Sequence, residues 1–124
     1  GTKHILRGSS IELMYDVLSN NGLLGLVSDQ DAKQKGVFVD FFGVPASTPK
    51  GAALFHINTK APILLGLCFK ENFRKYHIHF ESIDTTNKTI TAITQDYTSK
   101  LENYIKKYPD QYFWFHRRWK TRPS

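Results

Sequence analysis

The apolar residues of this chain fall in short blocks cut by turn formers, and that spacing constrains the fold more than any other feature. Residues 23–27 (LLGLV) and 62–69 form apolar runs of strand length, and residues 76–81 alternate apolar with polar. No run approaches the ~20 apolar residues that span a bilayer, and no cleavable signal peptide is visible at the start. The 124 residues are 40% apolar and 23% charged. That suits one globular domain and excludes a disordered or collagenous chain. A single cysteine, Cys68, excludes an internal disulfide and a four-cysteine zinc site, and within an apolar strand it is expected to be a small core residue. The chain opens Gly1-Thr2-Lys3 without a Met, as a processed product or a piece of something longer would.

Between these blocks the spacing turns helical. Ser9-Ser10-Ile11-Glu12 fits a capping box, and Ile11, Met14, Tyr15 and Leu18 follow on one face, with Gly22 as the stop. This predicts a helix over 10–20. Residues 23–27 then read as a buried strand delivering Asp29 and Asp31 to its C-terminal end, where open α/β sheets place their sites. Residues 32–51 read as a long functional connection. Thr48 as cap and Pro49 at the first helical position predict a helix through about Lys60. Strands are expected over 62–69, 76–81 (with one wet face) and 89–94, and a helix from Asp96 until Pro109 ends it. The order predicts an α/β domain over residues 1–124, a mixed sheet flanked by helices.

Candidate chemistry is sparse. His79 and Asp84 fit His-x4-Asp, a general base with its orienting carboxylate, but on a strand positions five apart face opposite sides. His77 and His79 share a face without a third ligand at recognisable spacing, so no metal is expected. Asp29 and Asp31 read either as turn-capping or solvated acids or as carboxylates that orient a base or contact a polar substrate. No Gly-rich phosphate loop or nucleophile elbow is present. Charge is informative once divided along the chain. Residues 1–99 carry ten Lys/Arg and nine Asp/Glu, whereas residues 100–124 carry seven against two. The segment 109–124 interleaves five aromatics with His116, Arg117, Arg118, Lys120 and Arg122, a basic aromatic tail suited to an anionic partner. Its bland alternative is aromatics docked on the core with their cations solvated.

The order of these blocks resembles a known family. Ser28-Asp29-Gln30-Asp31 is followed by residues 36–48 (GVFVDFFGVPAST), then Gly51 and Ala61-Pro62, and residues 109–120 (PDQYFWFHRRWK) close the chain. In order and spacing this is similar to the C-terminal half of the secondary (lauroyl/myristoyl type) acyltransferases of bacterial lipid A biosynthesis. That family belongs to the lysophospholipid acyltransferase-like superfamily, and the mycobacterial phosphatidylinositol mannoside acyltransferases are its relatives. The resemblance implies a partial glycerolipid acyltransferase-like domain and no cofactor. It implies a membrane-associated parent on the cytoplasmic face of the bacterial inner membrane. That parent would move a fatty acyl group from acyl carrier protein, or another acyl thioester, to a hydroxyl of a phosphorylated glycolipid such as a lipid A precursor.

The family's His-x4-Asp/Glu base and its membrane anchor lie upstream of everything in this sequence, so the chain alone is expected to be soluble and inactive. By position, Asp29 and Asp31 are then the acids that support the absent base. Phe38, Phe41 and Phe42 line the acyl-chain path or pack the core. Arg117, Arg118 and Lys120 meet lipid phosphate or the acidic carrier protein. Two rivals stay open: a free-standing anion-binding module using the basic tail, and an acyltransferase-like protein that binds carrier protein without reacting. Nucleic acid is not the expected partner, because the tail holds no base-reading motif. A sheet lacking upstream neighbours is further expected to expose an apolar edge or face that invites self-association.

Overall fold

A computed structural model describes residues 1–6 and 9–124. The first helix, α1 (Ile11–Ser19), is capped by Ser10, whose hydroxyl accepts the Glu12 N–H and donates to the Glu12 carboxylate at 2.7 Å. The left-handed stop falls on Asn21 (φ 55°), one residue before the expected Gly22. Tyr15 meets the Phe55 ring edge-on at 4.9 Å, which docks this helix on α2 (Gly51–Thr59).

Residues 23–27 form no strand: Leu23 and Val27 are among the most exposed side chains, because no neighbouring strand takes up their backbone groups. The expected connection 32–51 is instead an antiparallel hairpin, β1 (Val37–Phe41) and β2 (Val44–Thr48). Its turn, Phe42-Gly43, has φ of 55° and 75°, the two left-handed positions of a tight turn whose twist matches the strands. Phenylalanine is a costly choice there, by roughly 1–2 kcal/mol. Packing offsets this cost: the Phe42 ring lies 4.8 Å from Phe41 and 5.8 Å from Trp114, and its N–H donates to Glu102 at 2.8 Å. Thr48 ends β2 rather than capping a helix, and α2 begins after Lys50 without a side-chain cap.

A second antiparallel hairpin joins β3 (Leu64–Asn72) to β4 (Lys75–Ser82). The domain is therefore α/β, with its strands in two separate two-stranded ribbons rather than one mixed sheet. The expected strand 89–94 is helical: Thr89 caps α3 (Ile90–Lys107) by accepting the Ala92 N–H. Its β-branched residues favour a strand locally, but Ile93, Tyr97, Leu101 and Ile105 recur every fourth position and line one apolar stripe. That stripe joins two clusters. Ile93 and Tyr97 pack with Ala53 and Ile83, while Leu101 and Ile105 pack with Phe41, Ala46, Tyr112 and Trp119.

The second hairpin faces opposite to expectation. Its histidine and glutamate side lies against α3, and Leu64, Tyr76, Ile78 and Phe80 point to solvent. Cys68 lies on the same outer face and is exposed, not a core residue. No helix among the described residues is long and apolar enough to cross a membrane.

Candidate functional site

The loop 28–32 and the C-terminal segment 112–121 meet over the first hairpin, and the predicted acids sit where they meet. Asp31 ties the two together. Its N–H donates to His116 Nε2 at 2.9 Å, which places the ring proton on Nδ1. Its carboxylate accepts from the Thr121 hydroxyl at 2.9 Å and from the Lys33 N–H at 3.2 Å. Asp29 is different. Its Oδ1 is buried without a hydrogen-bond partner among the described residues. Asp29 also lines a cavity of about 180 Å³ of mixed polarity, with Leu67, Phe69, Leu101, Tyr104, Gln111 and Tyr112. An unpaired buried acceptor costs about 1–3 kcal/mol, and the Arg118 Nε donor is likewise buried without a partner among the described residues.

Arg118 stands apart from Arg117 and Lys120. It is 2% exposed, donates to the Ser47 carbonyl at 2.7 Å and to the Thr48 hydroxyl at 2.5 Å, and lies 5.3 Å from the Phe41 ring centre. Burial pushes its pKa down, while Tyr112, Asp31 and Asp29 pull the other way. Arginine nonetheless stays charged in proteins. This side chain is a buried cation that clamps β2, and the expectation that it meets lipid phosphate at the surface is corrected. Arg117 and Lys120 are exposed and joined by a turn, with the Lys120 N–H donating to the Arg117 carbonyl at 3.1 Å. With Trp114, Phe115 and Trp119 they border an open basin of about 360 Å³.

The three phenylalanines do not form one lining. Phe41 is fully buried, stacked on Trp119 at 5.3 Å, and Phe42 occupies the turn. Phe38 is half-buried and lies on the other face of β1 from Phe41. None of the three borders the Asp29 cavity.

His79 and Asp84 do not pair. His79 Nε2 lies 2.6 Å from the Tyr104 hydroxyl, whereas Asp84 accepts the Thr86 N–H and pairs with Lys88 at 3.2 Å. Those bonds hold the Asp84 carboxyl at about 2, and Thr86 contributes most. His77 is taken by Glu71 at 2.5 Å, and no cluster suited to a metal ion occurs among the described residues. Sequence reading missed the Thr121 and His116 clamp on Asp31 and the Tyr104 contact with His79. The only trace of the latter was Tyr104 and Tyr108 sharing one face of a helix.

The family model for bacterial lipid A biosynthesis acyltransferase matches residues 1–121. A phosphatidylinositol mannoside acyltransferase of Mycobacterium tuberculosis (strain ATCC 25618 / H37Rv) is 29% identical over 108 residues, which cover 87% of this chain and 34% of that protein. A protein of the same name in Mycolicibacterium smegmatis is also 29% identical over 108 residues, covering 87% of this chain and 36% of its own length. The chain thus spans about a third of the length of the curated relatives it matches.

Proposed function

The chain belongs to the bacterial lipid A biosynthesis acyltransferase family, and on that premise we propose that it is the C-terminal part of a membrane-associated acyltransferase. The parent takes a fatty acyl group from acyl carrier protein or another acyl thioester. It places that group on a hydroxyl of a phosphorylated glycolipid. A base removes the hydroxyl proton as the oxygen attacks the thioester carbonyl, and the departing thiolate takes that proton back. The histidine–carboxylate pair His77–Glu71 is exposed on the second hairpin and does not involve Asp29. The base is assigned to chain preceding residue 1 in the parent, where the resembling family carries it.

The buried, unpartnered Asp29 Oδ1 carries this reading. It is a buried acceptor without a partner among the described residues, where Arg118 Nε is a buried donor without one, and it is assigned to an imidazole N–H of the catalytic base. Such a carboxylate orients the ring and stabilises the imidazolium formed during attack. Asp31, fixed by Thr121 and His116, holds the loop that presents Asp29. The Leu67, Phe69, Leu101 and Ile105 side of the neighbouring hollow is assigned to acyl carbons. Arg117 and Lys120 are assigned to phosphate on the acceptor.

The test is acyl transfer by the complete protein carrying Asp29→Asn or Asp31→Asn. The expected result is a fall in kcat of about 10²-fold or more for Asp29→Asn, within the range that general-base catalysis contributes. For Asp31→Asn a smaller loss in kcat with a lowered Tm is expected. Unchanged turnover in both variants refutes the reading. A second reading, an anion-binding module without catalysis, is favoured by the exposed Arg117 and Lys120 beside exposed aromatics. Salt-sensitive binding of RNA or acidic carrier protein by a parent with no transferase activity would select it.

A further inference from the structure

We propose that residues 113–122, with the last turn of α3, form an interfacial patch that docks on the surface of an anionic lipid bilayer. The patch differs from an ordinary solvated tail in two ways. First, three successive aromatics stand at the surface: Phe113 is 66% exposed, Trp114 47% and Phe115 91%. The two phenylalanines face each other at 6.0 Å and have no other aromatic partner among the described residues. Phenylalanine has no polar atom for water to bond, so holding two of them outward makes sense where an apolar phase accepts them.

Second, the aromatics are held in place and flanked by cations. Turns fix the segment, with the His116 N–H on the Phe113 carbonyl at 3.2 Å and the Arg118 N–H on the His116 carbonyl at 2.8 Å. Buried Arg118 and half-buried Trp119 anchor its far side, and the Trp114 indole N–H is satisfied internally by the Pro109 carbonyl at 2.6 Å. Arg117 and Lys120 border one basin with Trp114 and Phe115. Lys106, Lys107 and Arg122 flank the segment in the chain, and Asp110 is the one acid from residue 103 to the end. Among the described residues only Lys106 of these cations makes an ion pair, with Glu102. Apolar tips entering the headgroup region beneath a rim of Lys and Arg is the physics of interfacial binding, in which each cation near an anionic surface raises partitioning about five-fold. RNA would meet the cations and stack bases on the rings, but the segment holds no base-reading motif, so RNA is the rival that the experiment separates.

This inference rests on the surface itself and not on acyl transfer. Vesicle binding without transferase activity keeps it, and transferase activity without vesicle binding overturns it alone. The experiment is flotation of the 124-residue chain with vesicles of phosphatidylglycerol or of phosphatidylcholine at 0.15 M salt. Flotation is expected with the anionic vesicles and at least ten-fold less with the neutral ones. Phe113→Ser with Phe115→Ser, and separately Arg117→Glu with Lys120→Glu, should each cut binding at least ten-fold at unchanged circular dichroism. Phe113→Leu with Phe115→Leu should keep it. Ile78→Ser with Phe80→Ser, on the outer face of the second hairpin, should leave it within two-fold. Equal binding to both vesicles, or loss only in the hairpin variant, overturns the proposal, and so does binding to RNA with none to vesicles.

Discussion

Removing the Arg118 guanidinium should unfold this domain far more readily than removing either of its exposed neighbours. In Arg118→Ala two charge-assisted hydrogen bonds disappear, to the Ser47 carbonyl and the Thr48 hydroxyl, each worth about 1.5–3 kcal/mol. The contact over the Phe41 ring adds about 0.5–2 kcal/mol. Against this, the cation no longer has to be held out of water, the same burial that pushes its pKa down. The balance is a loss of about 3 kcal/mol, or a fall in Tm of roughly 10–15 °C for a domain of this size. Arg118→Lys should lose about half as much, because one ammonium replaces a fork that reaches two acceptors. Arg117→Ala and Lys120→Ala, at exposed positions, should stay within about 0.5 kcal/mol of the parent. The assay is thermal and urea unfolding followed by far-UV circular dichroism on all four variants. An Arg118→Ala protein as stable as Lys120→Ala would refute the clamp and return Arg118 to the anion-binding surface.

Gly43→Ala adds a methyl group in open space at φ 75°, so about 1 kcal/mol of backbone strain is expected in urea titrations. Gly36→Ala should cost more, about 1–3 kcal/mol, because its methyl would meet the Ser47 hydroxyl at 2.5 Å and the Thr48 carbonyl at 2.8 Å. The Asp84 carboxyl titrates at about 2 when folded, below its ordinary 3.8. Its contribution is therefore complete above roughly pH 4 and is lost as pH falls towards 2. Asp84→Asn should flatten the stability profile across that window, and an unaltered acid limb would deny the Thr86 and Lys88 contacts any weight. Ile78→Ser with Phe80→Ser should lower concentration-dependent self-association of the isolated chain in sedimentation equilibrium, since both are exposed on one apolar ribbon face. Equal association in the variant would remove that face as its cause.

Legibility in the sequence followed the range of the forces involved. The stop at Pro109 and the strand expected over 62–69 and found at 64–72 are set by residues a few positions apart and were readable. The α1 cap was readable to within one residue, Ser10 taking the place that the Ser9–Glu12 spacing pointed to. Residues 89–94 were misread because Thr-Ile-Thr-Ala-Ile-Thr favours a strand locally, while burial of Ile93 and Tyr97 against Ala53 and Ile83 favours a helix. The hairpin in 32–51 was missed because Phe42 carries a turn usually made by Asn or Gly, held there by contacts with Trp114 and Glu102 more than fifty residues away.

The sequence by itself determined the domain class, the concentration of positive charge in the last twenty-five residues, and the ordered blocks that mark the family, because composition and local order need no partners. Only the tertiary structure decided that Arg118 turns inward while Arg117 and Lys120 stay in water, and that Asp29 keeps a buried oxygen without a partner among the described residues. Three neighbouring cations look alike in a sequence. What separates them is the distance to a carbonyl on β2 some seventy residues earlier, and only the folded chain sets that distance.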